Sequence, residues 1–88
     1  MSKYFQELIV SSLELDVESF ELLVEMSRDA CIDDGVIFNM KSFESTFHDL
    51  LNTQKIKAVS YDQKSATWKD VEFRAGERNH CWFVLNET

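Results

Sequence analysis

The character of the chain changes within residues 47–59, which read FHDLLNTQKIKAV. Up to Thr53 the apolar residues recur every three or four positions, the spacing that places side chains on one side of a helix. From Ile56 onward they recur at about every second position, as they do in a strand with one buried face. This stretch therefore predicts the end of a helix, a short polar turn and the first strand of a sheet.

Three helices are predicted before this change. The first covers residues 2–13, the second follows Asp16, and the third runs from Asn39 to near Thr53. Asp16 and Asn39 are predicted N-caps, because both side chains accept hydrogen bonds from the free amides of a first helical turn. The predicted buried faces consist of Phe5, Leu8, Ile9, Leu13, Phe20, Leu23, Val24, Ser27, Ala30, Cys31, Phe43, Phe47, Leu50 and Leu51.

Apolar pairs flank both predicted caps at the spacing of a hydrophobic staple. Leu15 would pack on Phe20, and Phe38 would pack on Phe43. Residues 36–38, between the second and third helices, are β-branched or aromatic and too few for a helix. They are predicted to form a short strand or an extended connection.

Three strand-like segments are predicted after the third helix, at residues 56–62, 68–74 and 79–85. Their links are short and polar, which favours antiparallel pairing. In the last segment Cys81 and Phe83 alternate with Trp82, so both faces of the strand carry bulky side chains. One face is expected to pack on the helices, and the other is either a second core contact or a partner surface.

Length and composition limit the architecture to one domain. Eighty-eight residues cannot be divided into two parts that each bury a useful core. Apolar residues make up 44% of the chain, which is far from the composition of a disordered protein. We therefore expect a single α+β domain over residues 1–88, with three helices followed by a two- or three-stranded antiparallel sheet.

The predicted order of helix, helix, short extended segment, helix and β-hairpin resembles that of a winged helix. Residues 47–59 resemble that fold's step from the third helix into the first wing strand. The resemblance implies a DNA-reading third helix whose outward residues would include Lys41, Glu44, Ser45, His48, Asp49 and Asn52. One lysine, no arginine and two acids do not support contact with phosphates or guanine. A form of the fold used for protein contacts is the better expectation.

The chain is acidic, and its acidity is uneven. Sixteen Asp and Glu against nine Lys and Arg give a formal charge of −7. Residues 1–54 hold eleven acids against three bases, whereas residues 55–88 hold five against six. This balance disfavours nucleic acid and anionic lipid, and it favours a basic protein that docks on the first part of the chain.

Four acidic residues, Glu18, Glu21, Glu25 and Asp29, recur every three or four positions along the predicted second helix. Like charges at this spacing repel one another by a few tenths of a kcal/mol per pair, so the stripe opposes helix stability. The plain interpretation is a solvated helix face. The functional interpretation is a partner-binding surface for a basic protein, as in inhibitors and immunity proteins that cover a cationic site.

The sequence predicts no metal site, no cofactor and no catalytic residues. Cys31, His48, His80 and Cys81 are residue types that bind zinc, but they lack the paired spacing of a zinc site. The two cysteines are predicted to be buried small side chains, with a disulfide between them as the alternative. His48 and Asp49 diverge by about 100° on a helix, so they cannot act as a base with its orienting carboxylate.

The expected location is the cytoplasm, without membrane contact. The N-terminus lacks the apolar core of a secretory signal, and the longest apolar run, residues 81–85, is too short to span a bilayer. Trp68 and Trp82 are predicted mainly to complete the core, with anchoring of a partner as the alternative.

The sequence as a whole predicts a non-catalytic protein-binding module, in its sharper form an inhibitor or immunity-type protein. A winged-helix transcriptional regulator is the alternative. A second copy of the chain is another candidate partner, because so small a domain buries a limited share of its surface.

Overall fold

A computed structural model describes residues 2–73 and 81–86. Within them the chain is of the α+β class, with three helices and a four-stranded antiparallel sheet. In chain order the elements are α1 (Lys3–Leu15), β1 (Glu18–Ser19), α2 (Phe20–Asp34), α3 (Met40–Asn52), β2 (Ile56–Asp62), β3 (Thr67–Asp70) and β4 (Trp82–Leu85). The predicted strand ends at Arg74, Asn79 and His80, and the link at residues 75–78, lie outside the described residues.

The three helices pack on one face of the sheet through aromatic side chains. Phe47 of α3 is fully buried, with its ring centroid 5.0 Å from that of Phe20 on α2 and 4.8 Å from that of Phe83 on β4. Phe43 lies 5.5 Å from Phe5 of α1. The predicted helix stripes are confirmed in their main positions, because a 3.6-residue repeat identifies the core-facing side of each helix.

The start of α2 differs from its prediction. Ser19, not Asp16, is the N-cap, and its Oγ accepts a hydrogen bond from the Leu22 amide at 3.2 Å. Leu15 is 85% exposed, so the predicted staple to Phe20 is wrong. The physical reason is that Glu18 and Ser19 pair with β4, which holds the chain extended past the predicted cap.

The connection from α2 to α3 is partly as predicted. Gly35 ends α2 with a φ of 67°, a left-handed conformation in which glycine has no side chain to clash. Residues 36–39 form an extended connection without strand pairing. Asn39 is the N-cap of α3, and the ring centroids of Phe38 and Phe43 lie 5.9 Å apart, which confirms this cap and staple.

The sheet has the strand order β1-β4-β2-β3, with all neighbours antiparallel. The central pair joins β2 to β4, so that Ala58 faces Phe83 and Val59 faces Trp82. The prediction of two or three strands missed β1, whose two residues are too few to show a period. Within residues 2–73 and 81–86 the helices lie on one face of the sheet, and the opposite face of β2, β3 and β4 is left open.

A charged contact in the β2–β3 hairpin links stability to pH. Lys69 Nζ lies 2.8 Å from Asp62 Oδ2, and the Lys64 amide donates to Asp62 Oδ1 at 3.0 Å. The hydrogen bond from Lys69, and after it that from Lys64, lowers the pKa of Asp62 below its ordinary value of 3.8.

We expect Asp62→Asn to remove a stabilising contribution that wild type has at neutral pH. Since the pKa of Asp62 is lower in the folded than in the unfolded chain, the contribution is present above about pH 3.8 and is lost as the pH falls through the folded-state pKa. Urea unfolding should give D62N a lower midpoint than wild type at neutral pH, and this gap should close in acid. A gap of equal size at both pH values would contradict the prediction. Asp33→Asn, at an exposed carboxylate on α2, is the control.

Candidate functional site

An apolar groove with two carboxylates at its side lies where α2 meets the start of α3. We call it the α2 groove. Its volume is about 240 Å³. Its lining residues are Phe20, Glu21, Val24, Glu25, Arg28 and Met40.

The local sequence explains this composition. Phe20 and Val24 are one helical turn apart, and both are buried at the side of α2 that meets the core. Glu21 directly follows Phe20, and Glu25 directly follows Val24. This offset of one position places both carboxylates at the exposed edge of the same groove. Arg28 ends the groove, with its guanidinium carbon 5.1 Å from the centroid of the Phe38 ring.

The structure brings together two of the four predicted partner-binding residues. Glu21 and Glu25 line the α2 groove, and Asp29 is exposed one helical turn farther along α2. Glu18 lies in β1 instead, opposite Phe83 and half-buried, so it is not part of the helical stripe. The cause is again the pairing of β1 with β4, which the spacing of the acids cannot reveal.

The acids of the stripe on α2 are not neutralised by neighbouring side chains. Among residues 2–73 and 81–86, Glu21, Glu25 and Asp29 form no ion pair or side-chain hydrogen bond. Glu21 in addition lies in the first turn of α2, where a negative charge interacts favourably with the helix dipole. The carboxylates beside the groove therefore face solvent and are available to cations.

Three of the four cysteine and histidine residues lie within the described part of the chain. Cys31 and Cys81 are both buried and no disulfide joins them, so the alternative of a disulfide between them is not realised. The His48 ring lies against Phe47 and Phe73, at 5.8 and 6.0 Å between centroids. His80 lies outside the described residues. Across the described ranges, no group of three or more His, Cys, Asp or Glu is placed to hold a metal ion.

The two tryptophans are placed differently from their prediction. Trp68 and Trp82 are 43% and 42% exposed and lie on the sheet face that the helices leave open. The prediction that they complete the core is wrong, because Phe83 and Ala58 already fill the helix side of the sheet. Alternation along β4 places Trp82 on the face opposite to Phe83.

These tryptophans belong to a second concave site, which we call the aromatic pocket. Its volume is about 440 Å³. Its lining residues are Asp16, Val17, Tyr61, Trp68 and Trp82. The sequence contains the signal for part of it, since bulky residues alternate on both faces of the last strand, but it does not show which face remains open.

Comparison with known proteins adds no relative. No protein-family model, curated protein or solved structure matches this chain. None of the helices in the described residues has the length and apolar character needed to cross a membrane. Function therefore has to be inferred from the chain's own surfaces, and the winged-helix resemblance stays a prediction.

Proposed function

We propose that this protein is a non-catalytic protein-binding module that engages a basic partner through the α2 groove. The observation that carries the proposal is an apolar floor with the carboxylates of Glu21 and Glu25 at its edge, neither of which has an ion-pair partner in the described part of the chain. The sharper form is an inhibitor or immunity-type protein that covers a cationic surface of its target.

The apolar floor and the carboxylates of the groove would make different contacts with a partner. Phe20 and Val24 form a floor on which an apolar side chain of a partner can be desolvated, and such anchors supply most binding energy. Glu21 and Glu25 attract Lys and Arg, which accelerates encounter and fixes orientation. An amphipathic basic segment of a partner matches both features. A purely apolar segment matches only the floor, and an acidic segment matches neither.

The alternative of a DNA-binding regulator has less support from the charges. α3 contains one lysine, Lys41, and no arginine, together with the acids Glu44 and Asp49. DNA binding depends on several Lys or Arg side chains at the phosphates. A salt-sensitive gel shift with mixed duplex DNA at low ionic strength would favour this alternative over the proposal.

The cytoplasm is the location we propose. Neither Cys31 nor Cys81 takes part in a disulfide, which supports a compartment in which glutathione and thioredoxin keep cysteines reduced.

Affinity capture from the native cell tests the proposed function. Wild-type protein is immobilised beside the Glu21→Lys/Glu25→Lys double variant, and proteins retained by wild type are eluted with a salt gradient. We expect a basic protein that binds wild type, elutes with salt and is absent from the double variant. The control is Glu7→Lys/Glu14→Lys, which reverses two exposed charges on α1 and changes the net charge equally. Equal retention by both double variants would contradict a role for the α2 groove.

A further inference from the structure

The open sheet face carries an aromatic pocket whose walls suit a flat cation. Tyr61 of β2 and Trp68 of β3 pair directly across the strands, with ring centroids 5.2 Å apart and planes inclined by 63°. Trp68 and Trp82 lie 5.9 Å apart, inclined by 64°. Because the rings meet edge to face, the pocket presents ring faces as well as edges. Ring faces are negative in electrostatic potential and attract cations.

The outer face of the sheet beside the pocket also carries a buried side chain, that of Val59. Val59 lies opposite Trp82 in the sheet and shares the outer face with Tyr61. It is only 2% exposed, yet it is not among the residues that form the core beneath the helices. The rings of Tyr61, Trp68 and Trp82 remain about half exposed, which leaves parts of their surfaces for a ligand.

One carboxylate stands at the rim. Asp16 Oδ1 accepts a hydrogen bond from the Val17 amide at 2.7 Å, which holds the side chain in place. Within the described part of the chain Oδ2 makes no hydrogen bond or ion pair. Among the described residues that line the pocket, one is an acid and none is a base. A cation in the pocket would thus meet aromatic faces and a fixed carboxylate together.

We propose that the aromatic pocket binds an arginine side chain of the basic partner. A guanidinium is planar and weakly hydrated, stacks on aromatic rings and pairs with a carboxylate through two parallel hydrogen bonds. A lysine ammonium is compact and strongly hydrated, so entering an open pocket costs it more hydration than it costs a guanidinium. The protein already makes the same kind of contact internally, where the Arg28 guanidinium lies over the Phe38 ring.

This inference rests on the proposed function for the basic character of the partner, but it concerns a different surface. The pocket lies close to the start of α2, because Ser19, the N-cap of α2, pairs with Trp82 in the sheet.

Tryptophan fluorescence tests the pocket directly. The chain has two tryptophans, Trp68 and Trp82, and both line the pocket, so the emission of the folded protein reports on this site. The probes are short blocked alanine peptides with arginine, lysine, trimethyllysine or citrulline at the centre. We expect a saturable change in emission with the arginine peptide at about millimolar concentration and none with citrulline. Lysine should bind at least about threefold more weakly than arginine.

Variants separate the carboxylate from the rings. Asp16→Asn should weaken the arginine peptide about two- to fivefold, while Asp33→Asn, the same change at an exposed site on α2, should leave it unaltered. Trp82→Leu should weaken it at least threefold, with circular dichroism as the check that the sheet is retained. If Trp82→Leu does not fold, Asp16→Asn decides alone.

Four results would overturn the inference. They are tighter binding of trimethyllysine than of arginine, an equal response to citrulline, no saturable change with the arginine peptide, and unchanged binding of that peptide by Asp16→Asn. None of these depends on the α2 groove. The variant Glu21→Lys/Glu25→Lys separates the two proposals. If it still captures the partner and still responds to the arginine peptide, the proposed role of the α2 groove is wrong, whereas the arginine site in the aromatic pocket is supported.

Discussion

Phe47→Ala is expected to remove a large part of the free energy of unfolding at 25 °C. Phe47 is fully buried and its ring touches α2, its own helix and β4, so its removal opens a cavity where the helices meet the sheet. Deleting a buried phenylalanine costs about 3–5 kcal/mol. A domain of this length has a total stability of about 4–13 kcal/mol. The loss is therefore a large part of the whole.

Urea unfolding followed by far-ultraviolet circular dichroism measures this loss. Leu15→Ala is the control, because it also shortens an apolar side chain but at a position that is 85% exposed. We expect the control to change the free energy of unfolding by less than about 0.5 kcal/mol. The control also tests the predicted hydrophobic staple, because L15A would lower the free energy of unfolding if Leu15 packed on Phe20. Similar midpoints for F47A and L15A would show that the helices and sheet do not share one core.

The parts of the fold that were predictable from sequence are those decided by near neighbours. The stripe of α3 and its Asn39 cap depend on residues within about four positions of each other, so local spacing is sufficient to identify them. β1 depends on a partner far along the chain. Glu18 and Ser19 become a strand only because Phe83 and Trp82 lie beside them, and that pairing also moves the start of α2 from the predicted cap.

In the candidate site, too, only the features that depend on near neighbours in the sequence could be predicted. Glu21 and Glu25 were predicted to share a face because four positions make about one helical turn, and they do line one groove. The open aromatic face could not be assigned from sequence. Strand alternation separates Trp82 from Phe83, but only the packing of all three helices on one side decides which of the two is exposed. Bulk on both faces of a strand is thus a reason to expect an interface as well as a core.

Reversing the charges of the α2 groove is expected to abolish partner binding without harming the fold. Glu21→Lys/Glu25→Lys would set two cations against a basic partner, and like-charge contacts across an interface cost several kcal/mol. A loss of about 3 kcal/mol corresponds to more than a hundredfold in Kd. The free energy of unfolding should change by no more than about 1 kcal/mol, because both side chains are exposed and the main loss is the interaction of Glu21 with the helix dipole.

The two measurements together distinguish a binding role from a merely solvated face. Isothermal titration calorimetry with the captured partner gives Kd, and urea unfolding gives stability. Wild-type affinity should fall as salt rises, because exposed charges are screened. Glu7→Lys/Glu14→Lys should lose much less affinity, and most of that loss should vanish at physiological salt, since it acts only through net charge. If instead both double variants weaken binding equally at physiological salt, the partner responds to the overall acidity of the chain, and the carboxylates beside Phe20 and Val24 have no particular part in recognition.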